Sequence, residues 1–188
     1  MESSSAGGLN NMALTLLSTQ SGTNQTTMSF TSGIDSTYLL YLFRWTDVNP
    51  ATDSTDFQFQ VNASGQSGYN ETMNTNYFKA AHDEADSATA LAYQTSHDQA
   101  NGTAFQNLAA GVGNGSDEST AGELYLFEPS NTTYKKNFCS RANHYHGSNE
   151  SEDCFSSGYI NVTAAVTNVQ FKMASGNFDG TIKMYGVA

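Results

Sequence analysis

The chain has few basic residues, two prolines, two cysteines and no long apolar run, and these shortages exclude whole classes of protein. Seven Lys and Arg stand against 18 Asp and Glu, for a formal net charge of −11. Such a surface repels phosphate backbones and anionic lipid, so we expect no nucleic-acid and no membrane partner. No run of 18 apolar residues is present to span a bilayer as a helix. The start lacks a basic region followed by an apolar core, and we expect no secretory signal.

The two cysteines, Cys139 and Cys154, flank a polar segment that we interpret as strand end, loop and strand start. A disulfide across a hairpin of that size is geometrically reasonable and would stabilise the fold by roughly 3 kcal/mol. Two free thiols fit equally well if the protein matures in a reducing cytoplasm. The sequence leaves both states of the pair open.

What the chain has in abundance is Ser, Thr, Asn and Gly, with 11 Phe, 10 Tyr and one Trp to build a core. The end of the chain alternates apolar and polar residues over 169–174 and again over 182–187, across a Gly/Asn/Asp break. This pattern predicts a β-hairpin of two half-buried antiparallel strands. Runs of the same kind, separated by turn residues, continue back along the chain. They predict an all-β, single-domain antiparallel β-sandwich of the jelly-roll kind.

The predicted domain covers residues 12–188, and the small, polar residues 1–11 are expected to form a flexible N-terminal arm. Two segments, 82–91 and 104–110, have a composition compatible with a turn or two of helix. Segment 38–45 is nearly continuous in apolar residues, which indicates a strand buried on both faces or a strand at an interface. The predicted strands are 12–18, 26–31, 37–46, 56–62, 70–80, 88–95, 103–110, 121–128, 133–145, 155–163, 166–174 and 180–187.

One acidic loop is a candidate cation site, because hard cations need several oxygens converging on one loop. Asp83, Glu84 and Asp86 supply three carboxylates within four residues. The residue order of an EF-hand is absent, so a solvated acidic loop is the favoured interpretation. The loop 114–118 is a second acidic loop, and the same interpretation is favoured for it.

His144 and His146 are two residues apart, on one strand face if the strand continues that far. This spacing suits a transition metal, but no third ligand is identifiable nearby in the sequence. Exposed histidines at a strand end are the favoured interpretation.

No catalytic motif is found, so we expect neither an enzyme nor a cofactor. A sandwich-fold glycosidase needs paired carboxylates on facing strands, and only Glu71, Glu123 and Glu128 fall in or beside predicted strands. The other acids are expected in turns: Asp47, Asp53, Asp56, Asp83, Glu84, Asp117, Glu118, Glu150, Glu152 and Asp153. Carbohydrate binding would draw on exposed aromatics, for which the candidates are Trp45, Tyr69, Tyr77, Tyr93, Tyr134 and Tyr145.

Four strings together carry a family resemblance. They are SFTSGIDSTYLLYLFRWTDVNPATDSTDFQFQ (29–60), AAHDEADSATALAYQTSHDQANGTAFQNLAAGVGN (80–114), LYLFEPSNTTYKKNF (124–138) and SGYINVTAAVTNVQFKMASGNFDGTIKMYGVA (157–188). The chain resembles a family of small standalone proteins of marine tailed bacteriophages, notably cyanophages. Its departures from that family are the two cysteines and an acidic insert at 147–153.

The resemblance implies a virion structural protein with a jelly-roll or lectin-like sandwich, made in the host cytoplasm, and it supplies no catalytic residue. Two functions follow as expectations. The first is a head decoration, cement or other surface component that assembles with other virion proteins, as a homo-oligomer. The alternative is a tail- or fibre-associated adhesin that binds a host glycan. A glycan hydrolase is a third and weaker possibility.

Overall fold

The computed structural model describes residues 13–188, and every regular element in that part of the chain is a β-strand. The predicted arm 1–11 lies outside the described residues. The strands are β1 (Leu14–Gln25), β2 (Met28–Phe30), β3 (Leu40–Pro50), β4 (Thr55–Ala63), β5 (Met73–Asp83), β6 (Thr89–Tyr93), β7 (Ala100–Gly102), β8 (Gln106–Val112), β9 (Thr120–Phe127), β10 (Lys136–His146), β11 (Glu150–Ile160), β12 (Val166–Met173) and β13 (Phe178–Val187).

The strands form two antiparallel layers, so the all-β sandwich predicted from the sequence is confirmed. The larger layer has the order β1-β13-β3-β9-β10-β11-β5, with β6 and β7 both paired to β5. The smaller layer has the order β8-β4-β12-β2. β8 pairs with β10 through Val112 and His146, and this contact joins the two layers along one edge. The result is a nearly closed, barrel-like sandwich.

Neither of the two segments whose composition is compatible with helix is helical, and the strands predicted at 88–95 and 103–110 are present as β6 and β8. Residues 82–91 form the end of β5, a turn and most of β6, and residues 106–110 belong to β8. No helix among residues 13–188 is long and apolar enough to cross a membrane.

The core between the layers is aromatic and centres on Phe171 of β12. Rings from the smaller layer meet rings from the larger one, as in Phe171 with Phe43, 5.6 Å between centroids, and Phe59 with Phe138, 5.0 Å. Edge-to-face and offset pairs of this kind add to the free energy that burial alone contributes. The inward positions of alternating strands therefore hold the two layers together.

The nearly continuous apolar segment 38–45 proves to be buried on both faces only at residues 41–43. Tyr41, Leu42 and Phe43 of β3 are each at most 1% exposed, although Leu42 points away from the inter-layer core. From Arg44 the strand returns to ordinary alternation, with Trp45 inside and Thr46 outside. β3 lies between β13 and β9, which explains this central-strand character.

The hairpin expected at the end of the chain is wrong, although both of its strands exist. β12 pairs with β4 and β2 in the smaller layer, whereas β13 pairs with β1 and β3 in the larger one. The chain crosses between layers at 174–177, where Gly176 has a φ of 73°. Apolar and polar residues alternate along both strands because one face of each strand packs on the shared core. The strands of a hairpin would show the same alternation.

Candidate functional site

Three adjacent strands of the larger layer, β5, β10 and β11, direct a group of polar side chains into the protein interior. β10 alternates strictly, so that its even-numbered residues face inward. The register places His144 opposite Glu152, and Cys154 between Ala142 and Lys79. The resulting inner cluster comprises His144, Glu152, Cys154, Lys79 and Tyr77.

The inner cluster is sealed and closely connected. His144, Glu152 and Cys154 are at most 2% exposed, and one potential ligand atom of each lies within 4.8 Å of the other two. The Cys154 sulfur lies 4.0 Å from His144 Nδ1 and 3.9 Å from Glu152 Oε2. Lys79 Nζ donates to the other oxygen of that carboxylate, Oε1. A buried carboxylate is tolerable only with such a partner.

His144 is held in one tautomer by a backbone carbonyl. Its Nε2 lies 2.8 Å from the Ala110 oxygen of β8. A carbonyl can only accept, so Nε2 carries the proton and Nδ1 presents a lone pair towards Cys154. The contact also links the two layers next to their junction.

Burial sets the protonation states of the cluster. It lowers the pKa of His144 to about 4, with the charges of His146 and Lys79 acting in the same direction. It raises the pKa of the Cys154 thiol to about 11, and it also raises the pKa of the Tyr77 phenol. At neutral pH the imidazole is neutral and the thiol protonated. Such a sealed thiol is a poor nucleophile and has no route to an external substrate.

Several buried hydroxyls beside the cluster lack a hydrogen-bond partner among the residues that the structure describes. They are Tyr77 Oη, Ser140 Oγ and Ser156 Oγ. These three residues occupy one row across the sheet, next to the row that contains Cys154. Unsatisfied buried polar groups are uncommon and often mark the position of an absent ion or water.

The opposite face of the same strands carries a different arrangement. One register row crosses seven strands in the order Lys183, Arg44, Glu123, Arg141, Phe155, Phe78 and Tyr93, which we term the outer row. The rings of Phe78 and Phe155 stack with centroids 4.8 Å apart, and the Arg141 guanidinium lies 5.3 Å from the Phe155 centroid. Arg141 also binds Asp153, with Nη2 2.7 Å from Oδ2.

The outer row is open to solvent. Phe78 is 38% exposed and Tyr93 54%, and the neighbouring Leu91 is 80% exposed. The charged half of the row borders a shallow depression of about 480 Å³, lined by Arg44, Glu123 and Arg141 among others. Contiguous aromatic and apolar groups on a surface are typical of interaction sites.

The carboxylates of Asp83 and Asp86 in the candidate cation loop make contacts within the turn itself. The Asp83 carboxylate accepts hydrogen bonds from the backbone of Ser87 and Ala88, which closes the turn between β5 and β6. The Asp86 carboxylate lies 3.4 Å from His82 Nε2. In the second loop, Glu118 Oε2 accepts from the Gly115 amide at 2.7 Å. Within residues 13–188, His144, Glu152 and Cys154 are the one group of three that could hold a metal ion.

The two histidines that suggested a metal pair have separate environments. His144 is buried, whereas His146 is half-buried and its Nδ1 accepts from the Ser148 amide. The ligands that sequence reasoning could not find for His144 come from β11. The predicted strands leave the acidic insert 147–153 between them, but β11 begins at Glu150 and places Glu152 directly opposite His144.

The expectation that nearly all acids lie in turns is therefore wrong for β11, which contains Glu150, Glu152 and Asp153. It is also wrong for Asp47 and Asp56, which lie within strands. A polar strand is hard to recognise because its buried positions lack apolar side chains.

The considered disulfide is contradicted, and both thiols are free. Cys154 pairs in register with Ala142, three residues from Cys139 on the same strand. An odd separation places the two side chains on opposite faces of the sheet. Cys139 is exposed and Cys154 is buried, so the pair cannot meet.

The aromatic residues proposed for carbohydrate binding divide into three groups, and Tyr69 and Tyr145 form the half-buried one. Trp45 and Tyr77 are at most 1% exposed and belong to the core. Tyr93 and Tyr134 are 54% and 68% exposed. Tyr93 lies in the outer row, which makes this row the best-equipped surface for stacking.

No protein-family model, no curated protein and no solved structure matches the chain.

Proposed function

We propose that the chain is a non-enzymatic structural protein of the exterior of a tailed-bacteriophage virion, a head decoration, cement or other surface component that assembles as an oligomer. The observation that carries the assembly role is the outer row, in which Phe155, Phe78 and Tyr93 stand side by side on a rigid sheet. The virion setting rests on the resemblance of the four sequence strings to marine phage proteins.

The chemistry of the outer row supports docking on another protein surface. Aromatic rings and arginine are the groups enriched in protein interfaces. Here Arg141 is already oriented by Asp153 and by the Phe155 ring, so little conformational entropy is lost when a partner covers it. The acidic remainder of the surface keeps the free protein soluble and directs association to this patch.

The position of the titratable cluster supports a role without catalysis. The His144, Glu152 and Cys154 side chains face the interior, where no substrate can reach them. The outer row offers ion pairs and rings but no nucleophile beside a base.

The proposal is tested by counting copies of the chain in purified phage particles by quantitative mass spectrometry. Many symmetrically placed copies are expected for a decoration protein, and absence from particles contradicts the proposal. A Phe78→Ser, Phe155→Ser double variant should fail to associate in sedimentation velocity and to enter particles. Tyr134→Ser is the control, because Tyr134 is an exposed aromatic residue that lies outside the outer row.

A carbohydrate-binding adhesin is the second candidate, and the depression beside the outer row favours it. Sugars bind by stacking on aromatic faces and by hydrogen bonds to charged groups. Phe155, Arg141 and Asp153 supply both within one patch. A few copies per particle at the tail and binding on a glycan array would favour adhesion. Many copies and no glycan binding would favour decoration.

A further inference from the structure

We propose that His144, Glu152 and Cys154 bind a zinc ion, and that the hydroxyl of Tyr77 faces its fourth coordination position. The site is structural, because its ligands are sealed inside the protein. It lies where the two layers of the sandwich join.

The spacing of the ligand atoms is close to that of a zinc site. Zinc binds sulfur at about 2.3 Å and nitrogen or oxygen at about 2.0–2.2 Å, so tetrahedral ligand atoms lie about 3.3–3.8 Å apart. The Cys154 sulfur lies 4.0 Å from His144 Nδ1 and 3.9 Å from Glu152 Oε2. A contraction of a few tenths of an ångström brings these atoms to zinc distances.

The set of donor atoms selects the metal. One sulfur, one imidazole nitrogen and one carboxylate oxygen form a mixed set that suits zinc and is unsuited to calcium or magnesium, which prefer oxygen ligands alone.

The partners of the ligands are those that support a metal site. Metal-binding histidines donate their other ring N–H to a carbonyl or carboxylate, as His144 Nε2 does to the Ala110 oxygen at 2.8 Å. The ligating carboxylate is likewise held, because Lys79 binds Glu152 Oε1 and leaves Oε2 facing the sulfur. His144 Nδ1 and Glu152 Oε2 therefore both lie within 4.0 Å of the Cys154 sulfur, and Oε2 also lies 3.7 Å from His144 Nε2.

The unpaired hydroxyls give an independent indication of a missing ligand. Tyr77 is fully buried, and its Oη has no hydrogen bond of normal geometry within the described part of the chain, although the hydroxyl acts on the pKa of the Cys154 thiol and so lies beside the sulfur. Ser156, its neighbour in register, has a buried and unpaired Oγ as well. A zinc ion, with or without one bound water, would satisfy the Tyr77 oxygen.

The experiment is metal loading of the full chain with its thiols reduced. The protein is refolded with Zn²⁺, freed of excess metal by gel filtration and assayed by elemental mass spectrometry, with about one zinc per chain expected. Co²⁺ in place of zinc should give the sulfur-to-cobalt charge-transfer absorption of a thiolate ligand. A chain that stays metal-free, or cobalt spectra without that band, would overturn the proposal.

Matched variants identify the ligands. Cys154→Ser and His144→Asn should each weaken zinc binding by more than the ~10–100-fold that loss of a supporting hydrogen bond costs. Cys139→Ser and His146→Asn keep full affinity, because Cys139 is on the other sheet face and His146 is outside the group. Equal zinc loss in Cys139→Ser and Cys154→Ser would show that the metal binds elsewhere.

A measurement on the unmodified chain covers the case in which the core variants fail to fold. Zinc at about 100 times its Kd should raise the Tm by roughly 5–10 °C relative to a chelator, because the ion binds the folded state alone. An unchanged Tm would contradict a structural metal site.

Discussion

The two faces of β5, β10 and β11 use the same backbone for opposite purposes. On the inner face, Glu152 is fully buried and its carboxylate contacts Lys79 and the Cys154 thiol. On the outer face, Asp153 and Phe155 contact the solvent-exposed Arg141. Each of the two follows an inward-facing residue of β11 by one position. Successive residues of a strand point to opposite sides, so a shift of one position exchanges a sealed site for an accessible one.

The difference teaches that polarity alone does not identify a surface residue in this protein. The inner cluster is as polar as the outer row, but each charge inside has a fixed partner, whereas the rings and charges outside keep exposed area for a partner molecule. Energetically, the inner face should govern stability and the outer face association. Three predictions test this division.

The aromatic core gives the largest expected effect. Phe171→Ala should lower the free energy of unfolding by about 3–5 kcal/mol, because a ring surrounded by other rings leaves a cavity that cannot collapse. The ring has four aromatic neighbours with centroids within 6.4 Å: Phe30, Phe43, Phe57 and Phe59. Urea unfolding measures the change.

The outer counterpart is Phe155→Ala, which removes one stacked ring from a half-exposed site. This substitution should lower the free energy of unfolding by only about 1 kcal/mol, because water replaces the lost contacts. Equal losses in Phe155→Ala and Phe171→Ala would break the proposed division between the faces.

The buried ion pair gives the next effect. Glu152→Ala should destabilise the protein by about 2–3 kcal/mol, because it leaves Lys79 without its partner. The ammonium group is partly exposed and can turn to water, which keeps the cost below that of a fully buried charge. Urea unfolding with a chelator present excludes any contribution from metal.

Glu150→Ala is the control for this change, because Glu150 lies on the same strand but is half-buried. It should alter stability by less than about 0.5 kcal/mol. A double variant, Lys79→Met with Glu152→Leu, should recover part of the loss, since it removes both charges together. Failure of the double variant to exceed Glu152→Ala in stability would show that the cost comes from packing.

The sequence predicted the fold class correctly because most strands have apolar residues on one face, as in 57–61 of β4. It could not predict which strands pair. β12 and β13 alternate as a hairpin would, but they lie in different layers, and alternation records only which face is buried. Partner choice depends on contacts between distant residues that no local pattern contains.

The sequence pattern does not predict the candidate site, for a related reason. Inward positions of β10 and β11 carry Ser140, His144 and Glu152, so these strands lose the apolar period that marks a buried face. Their polar side chains are stable inside only because they meet across strands. His144 was recognised as a candidate metal ligand, but its companions could be found only once the register of the hairpin was known.

The smallest of the three effects is a pH dependence confined to the inner face. The pKa of His144 is lowered to about 4 in the folded protein, by burial above all, whereas an unfolded histidine titrates near 6.5. Above that pH both states are neutral and the fold keeps its full stability. As the pH falls from about 6.5 to 4, His144 becomes protonated in the unfolded chain but stays neutral in the folded one. The free energy of unfolding therefore decreases over this window.

For this one group the loss between about pH 7.5 and pH 5 is roughly 2 kcal/mol. Chelator-treated wild type and His144→Asn should therefore differ in the slope of unfolding free energy against pH, with the wild type steeper by that amount. His146→Asn is the control, because it removes an imidazole from the same strand and leaves the buried His144 in place. Parallel slopes for wild type and His144→Asn would mean that the imidazole accepts its proton inside the fold. The groups of the inner face would then exchange protons with solvent as those of the outer face do.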